Sequence, residues 1–262
     1  MTTTRRHPYA DLLPQVLKPS RYTGGEFGSI RKPWDSVEAR VCLAFPDVYD
    51  IGMSHLGYRI LYALLNDNPR ILAERCYAPW VDLQELLRER RLPLVSLESN
   101  APLRDFDVVG FSLQFELTYT NILSMLDMGG IPLLSRDRGE EVPLVIAGGP
   151  VATHAEPVAD FFDAMLIGEG EEAFPEVILE WTSGRARGLT RRERLERLAT
   201  IPGIYVPSLY EVEVEEATGL QVVAKSLSPA APLPVKRRVV EDLAKFPFPS
   251  RGPVGGPEAV FD

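Results

Sequence analysis

The chain has 262 residues, a formal charge of −9, 45% apolar and 25% charged residues, the profile of a globular protein able to bury a full core. The acidic balance argues against a nucleic-acid backbone or an anionic membrane as the main partner, since both reward clustered Lys and Arg. No run approaches the ~18 apolar residues of a membrane span, and the Thr-rich N-terminus with Arg5-Arg6-His7 lacks the apolar stretch of a signal peptide, so a cytoplasmic location is expected.

In chain order, residues 1–37 are polar and Pro-rich, with a Tyr22-Thr23-Gly24-Gly25-Glu26 turn and Pro33-Trp34. They read as an arm on the surface of the domain, outside its core. The domain itself is expected over 38–200. Val41 to Phe45 is a continuous apolar run closed by Pro46-Asp47, as for a strand covered on both faces. Leu56, Ile60, Leu61, Leu64 and Leu65 then recur at helical spacing until Asn66-Asp67-Asn68-Pro69 stops the helix. The alternation continues with a strand over 73–78, a helix over 81–91 with Leu83, Leu86 and Leu87 inward, and a short segment at 94–96. A strand over 106–113 and a helix over 118–128 follow. Pro132-Leu133-Leu134 is a possible minor strand, 143–147 a clear one running into Gly148-Gly149-Pro150. A short helix near 158–162 leads to a strand over 164–167, and Gly168-Glu169-Gly170-Glu171 opens a helix to about Trp181. Five strands alternating with helices predict a doubly wound, mainly parallel, five-stranded Rossmann-like α/β sheet, because parallel neighbours need helical crossovers.

Arg191 to Ala199 reads as a charged helix. The Arg-rich stretch 185–197 interleaves Glu193 and Glu196 and reads as a solvated face rather than an RNA contact. Residues 201–245 read as a β-hairpin extension: 205–215 alternates Val212 and Val214 with glutamates, Ala217-Thr218-Gly219 turns, and 220–225 returns. Residues 246–262 have the Pro/Gly composition of a linker, which points to a following domain.

Chemistry is bounded by inventory. The five lysines are Lys18, Lys32, Lys225, Lys236 and Lys245, so 33–224 holds none. P-loop phosphate binding, a phospho-receiver site and Schiff-base catalysis each need a lysine and are excluded there. Cys42 and Cys76 provide no disulfide framework and read as buried thiols. Ligands of open α/β sheets bind outside the carboxyl ends of the strands, and four loops qualify there. They are 46–57, containing Asp50-Ile51-Gly52-Met53-Ser54-His55-Leu56-Gly57; Ser112-Leu113-Gln114; Gly148-Gly149-Pro150; and Gly168-Glu169-Gly170-Glu171. Their glycines allow backbone to approach a ligand. His55 is open to two readings: a metal ligand, or a ring packed beside a helix capped by Ser54. Glu169 and Glu171 are either an acid–base pair or carboxylates at a helix start. His154 reads as a loop residue, and no His/Cys spacing supplies a zinc site. The first strand is not followed by a dinucleotide-binding G-x-G-x-x-G.

The ordered set Ser54-His55-Leu56-Gly57, Val-Gly-Phe-Ser112-Leu113, Ala-Gly148-Gly149-Pro150 and Ile-Gly168-Glu169-Gly170-Glu171 resembles the N-terminal cobalamin-binding domain of radical S-adenosylmethionine (SAM) enzymes. Arg21-Tyr-Thr-Gly-Gly-Glu26 and Met53-Ser-His-Leu-Gly57 are similar to one subfamily of these proteins. The resemblance spans roughly 15–262. It implies a cobalamin across the strand ends, its nucleotide tail in a groove lined by Ser112, Leu113, Gly148 and Gly149. It implies cofactor contacts from Asp50, Met53, Ser54, His55, Leu56, Gly57, Gln114, Pro150, Gly168, Glu169 and Gly170, with His55 the candidate cobalt ligand. The well-known Asp-x-His-x-x-Gly signature differs here, since Asp50 and Gly57 stand at other spacings from His55. S-adenosylmethionine and the iron-sulfur cluster would reside in a partner barrel, in the same gene or a separate subunit, because the CxxxCxxC motif is absent from this chain. The module would not catalyse alone. The competing expectation is a docking domain of the same fold that binds no cofactor.

Overall fold

The computed structural model describes residues 6–154, 156–246, 248–249 and 252–255. The helices are α1 (Ser20–Thr23), α2 (Tyr49–Gly52), α3 (Leu56–Asp67), α4 (Val81–Arg90), α5 (Tyr119–Met128), α6 (Gly170–Ala186) and α7 (Arg191–Ala199). The strands are β1 (Ala39–Phe45), β2 (Ile71–Tyr77), β3 (Val108–Ser112), β4 (Leu144–Gly148), β5 (Ala164–Leu166), β6 (Ile204–Tyr205), β7 (Tyr210–Val214) and β8 (Gln221–Ser226). Six of them form one sheet in the order β2-β1-β3-β4-β5-β6, parallel except for β6.

The doubly wound α/β expectation therefore holds, with one correction: the sheet has six strands, not five. The sixth is the two-residue β6, antiparallel to β5 through Met165 opposite Tyr205 and Leu166 opposite Ile204. Two residues carry no periodicity, so the sequence pattern runs Tyr205 into the start of the hairpin instead. Residues 132–134 form no strand. β7 and β8 make the separate antiparallel hairpin, with a bulge between Glu211 and Val212.

Apolar runs become the central strands because both faces are covered. In β1, Ala39 and Val41 to Phe45 are all buried. The chain moves from β1 to β2 in one direction and from β2 across to β3 in the other. Right-handed crossovers then put α3 on one face and α4 and α5 on the opposite one. α6 returns beside α3. The neighbours β1 and β3 thus flank the point where the winding reverses, which is where open α/β sheets hold ligands.

Residues 6–37 do more than lie on the surface, since Tyr9, Leu12, Val16 and Tyr22 are buried members of the core. Edge strand β2 is buried along its whole length. Side chains and a neighbouring segment close its ladder: Ala73 N–H donates to Asn66 Oδ1 at 3.1 Å, Arg75 N–H to Glu98 Oε2 at 2.7 Å, and Leu97 N–H to the Arg75 carbonyl at 2.8 Å. An edge finished in this way offers no template for strand addition. Among the described residues no helix is long and apolar enough to cross a membrane.

Candidate functional site

A cleft of about 300 Å³ opens at the carboxyl ends of the strands, between the sheet and the pair α3 and α6. Its floor comes from Leu43 of β1, Gly110 and Phe111 of β3, Ile146 and Ala147 of β4 and Leu166 of β5. Gly57, Tyr58 and Leu61 of α3 form one wall, and Gly170, Glu171 and Phe174 of α6 the other. Around the mouth stand His55, Ser112, Gln114, Gly148, Gly149, Pro150, Gly168 and Glu169. Ten of the residues singled out from sequence therefore meet at one place.

The glycines here fall into two groups. Gly149 and Gly168 have positive φ, and a Cβ on them would run into backbone: Leu113 O at 2.5 Å for Gly149, and the Arg238 carbonyl for Gly168. Gly110 is required for another reason, because a Cβ there would sit 2.7 Å from the Phe174 ring that lies across β3. Gly57, Gly148 and Gly170 are under no such demand. Their φ values are ordinary, and a Cβ would make only normal contacts: the His55 ring at 3.5 Å, Leu166 Cβ at 3.7 Å and Leu61 Cδ2 at 3.5 Å. Nothing in the chain's own packing requires glycine at these three, and each borders the cleft.

His55 is the N-cap of α3. Its Nδ1 accepts the Tyr58 N–H at 3.3 Å, and its ring leans on Phe45 with centroids 5.3 Å apart. The cap is thus His55 itself and not Ser54, whose hydroxyl donates back to the Ile51 carbonyl at 3.2 Å. Gln114 donates to Ser112 Oγ at 2.5 Å across the mouth. Glu169 does not pair with Glu171. Its carboxylate accepts the Val240 N–H and its own N–H donates to the Arg238 carbonyl, which ties the start of α6 to the segment around 238–240. At the same edge His154 Nε2 lies 3.3 Å from Glu116 Oε1, both exposed.

Five singled-out residues stand off the cleft. Asp50 is held by Arg21 and Lys18. Met53 packs on the core, Leu56 faces outward and Leu113 is fully buried under Gly149. Ser54 is the fifth. Conversely, the floor residues and Phe174 escaped the sequence reading, because strand and helix apolar residues look alike whether they face a core or a cleft. One signal was available in Gly110, a glycine in the middle of a strand, which marks a close approach from outside the strand.

Cys42 and Cys76 are free and buried, and burial pushes the Cys42 thiol up. Among the described residues there is no group of three or more His, Cys, Asp or Glu side chains placed to hold a metal.

Residues 57–207, more than half of the chain, match the family described as radical SAM proteins, N-terminal. No curated protein matches the chain. The matched span runs from the first turn of α3 through the last strand of the sheet, so it contains both walls of the cleft and all of its floor except Leu43 of β1. The chain therefore belongs to the radical SAM N-terminal family.

Proposed function

We propose that this domain binds cobalamin and presents the corrin to a radical SAM barrel, carried on the same polypeptide or on a separate one. The observation that supports this most is the cleft edged by three glycines that the fold itself does not need. Alanine at a glycine position of ordinary φ stabilises by about 0.4–1 kcal/mol through a less flexible unfolded chain, so room kept open at that cost points to an occupant. The volume stands at the lower end of small-molecule sites, ~300–1,000 Å³. That suits a flat heteroaromatic base with part of its sugar-phosphate, and leaves the macrocycle outside on the strand ends. The open state of the cleft argues against a domain whose ligand edge has closed.

In this reading Gly57, Gly148 and Gly170 admit the nucleotide tail, Phe174, Leu43 and Ile146 exclude water from its base, and Ser112 and Gln114 offer polar atoms at the mouth. Exposed Ile51, Leu56, Phe115 and Leu117 on the loops after β1 and β3 provide an apolar rim for the corrin or the barrel that covers it. Cobalamin, when bound, would supply a cobalt able to carry a methyl group or an electron for methyl transfer or another radical modification. S-adenosylmethionine and its iron-sulfur cluster belong to the barrel.

His55 acts here as a cap. An Nδ1 that accepts the Tyr58 N–H has no proton, so the neutral ring carries its proton on Nε2 and has no free lone pair for cobalt. Ligation would require α3 to give up its cap.

The test is titration of the purified chain with hydroxocobalamin, followed by desalting. Wild type should retain corrin absorbance. Gly148→Leu and Gly170→Leu, which place a side chain in the cleft, should retain none while keeping their circular dichroism. His55→Ala should leave the visible spectrum of the bound corrin unchanged and cost about 1 kcal/mol of stability as a lost cap. A folded wild type without corrin absorbance overturns the cobalamin reading, and a changed spectrum in His55→Ala overturns the cap assignment.

A further inference from the structure

The segment Arg21-Tyr22-Thr23-Gly24-Gly25-Glu26 precedes the matched region and borders no part of the cleft. Its charged side chains nevertheless converge on one element, the single turn α2 that begins the loop to His55. Arg21 Nε donates to Asp50 Oδ2 at 2.6 Å and Nη2 to Asp50 Oδ1 at 3.3 Å, with Lys18 Nζ 3.3 Å from the same oxygen. One residue earlier on the turn, Tyr49 OH donates to Glu26 Oε1 at 2.9 Å. The other Glu26 oxygen accepts from Arg75 Nη2 at 2.8 Å and Ser29 Oγ at 3.2 Å, which anchors it to β2. Between the two grips Gly24 adopts φ 58°, and its backbone lies so close on the Leu97 carbonyl that no Cβ would fit. The Arg21 guanidinium also sits 5.8 Å from the centre of the Trp80 ring.

These contacts are enclosed: the Arg21 and Asp50 side chains are only 14% and 20% exposed. Burial alone would push the Asp50 carboxyl up, but the hydrogen bonds and charge of Arg21, with the hydrogen bond from Lys18, outweigh it, so the group lies below its ordinary range and is ionised near neutrality. The loop needs such support. It makes no sheet ladder, and Ile51 and Leu56 on it are about half exposed.

We propose that Arg21 and Glu26 are positioning residues of the cleft: they hold α2 in place, and through it set where His55 and Gly57 stand on the cleft wall. The identity of the ligand rests on the cobalamin reading, whereas the mechanical link between arm and loop does not. Neither residue touches the ligand. Asp50, grouped from sequence with the cofactor contacts, becomes the receiving half of this grip.

Hydrogen exchange of the full chain tests the link without any ligand. Arg21→Gln and Asp50→Asn should speed exchange of the amides at 51–55 on the order of tenfold, the equivalent of one charged hydrogen bond. Exchange in β3 and β4 should stay unchanged, and Arg21→Lys should keep part of the protection. Arg70→Gln, which breaks the exposed pair with Glu38, should change nothing. In parallel, hydroxocobalamin should bind Arg21→Gln on the order of tenfold more weakly than wild type, at a temperature where both are fully folded. Wild-type protection of the loop in Arg21→Gln and Asp50→Asn overturns the proposal. So does faster exchange spread evenly over the sheet with a lower melting temperature, the signature of a general stabiliser. If wild type retains no hydroxocobalamin, the cofactor reading fails and the exchange result alone decides the role of the arm.

Discussion

Single residues at the strand ends differ in what they are asked to do, although the sequence writes them identically. Gly168 is fixed by the backbone: its φ is 115° and the Arg238 carbonyl occupies the place of a side chain. Gly170, two residues on, opens α6 with ordinary φ, and a Cβ there would meet only Leu61 Cδ2 at an ordinary 3.5 Å. Alanine should therefore act in opposite directions at the two. Gly168→Ala should destabilise by on the order of 2 kcal/mol or more, through left-handed strain and displacement of the 238–240 segment. Gly170→Ala should be neutral or stabilise by up to about 1 kcal/mol through a less flexible unfolded chain. Urea unfolding of both variants checks this, and equal losses would mean that the fold needs both glycines. The positions of these glycines after the strands were legible from sequence, since Gly behind an apolar run marks the ligand edge. Which of them the backbone requires was not, because φ and the atoms opposite a missing Cβ depend on segments far along the chain. The same limit explains Ser54 and His55. Both residues can cap a helix, and only the path of the loop decides which one reaches the Tyr58 N–H.

Elements were legible where a period ran long enough. α3, α4, α5 and α7 stand close to their expected bounds, and β1, β3 and β4 follow their apolar runs. The missed β6 is two residues long, and α6 runs five residues past the expected end at Trp181 to Ala186. The reading of α7 as a solvated face held for Arg192 and Arg197 but not for Arg191 and Arg194, which are buried. Their guanidinium carbons lie 5.1 and 4.1 Å from the centroid of the buried Trp181 ring. Arg191 Nη2 also donates to Asp163 Oδ2 at 2.8 Å. That oxygen accepts further bonds from Arg138 Nη1 at 3.0 Å and the Val145 N–H at 2.8 Å. One carboxylate oxygen thereby joins α7, β4 and the 135–138 turn, away from the cleft. Charge counts along a helix cannot reveal this, because the partner acid comes from another strand end. Asp163→Ala would leave Arg138 and Arg191 buried without their counter-charge, a loss of about 3–5 kcal/mol. Asp163→Asn keeps an acceptor and should lose less. Denaturant midpoints rank the two, and a loss below 1 kcal/mol in the alanine variant would show that the arginines find other partners.

Across the molecule, one face of the sheet and one edge carry the candidate function, and the N-terminal arm is built into the side that supports them. The doubly wound, mainly parallel class was legible, since it follows from local alternation, but the antiparallel sixth strand was not. The arm's part in the core was not, because Tyr9, Leu12 and Val16 stand at helical spacing over residues 9–16 alone, a run interrupted by Pro14 and too short to mark a buried face. Acid should expose this dependence. Burial raises the Glu26 carboxyl, but the charge and hydrogen bond of Arg75 outweigh it and leave it below its ordinary 4.5; Asp50 likewise lies below its ordinary 3.8. A carboxyl whose folded value is depressed binds protons more readily unfolded. Its contribution is therefore whole above the ordinary value and is lost as pH falls through the folded one. Glu98 works the other way: burial raises it more than Arg75 lowers it, so protonation on acidification relieves a cost of the folded state. The depressed Glu26 and Asp50 are joined by Glu38, Glu140, Glu180 and Glu193, which their own partners also lower, against the one raised Glu98. Urea midpoints should therefore fall from pH 5 to pH 3, and Glu26→Gln should flatten the fall, since the variant has no proton to take up at that site. Parallel midpoint curves for wild type and Glu26→Gln would place the acid sensitivity elsewhere in the sheet. If the grip of the arm on α2 depends on the same carboxylates, amides 51–55 should also lose their protection at pH 3, below the ordinary values of both groups, before those of β3 do.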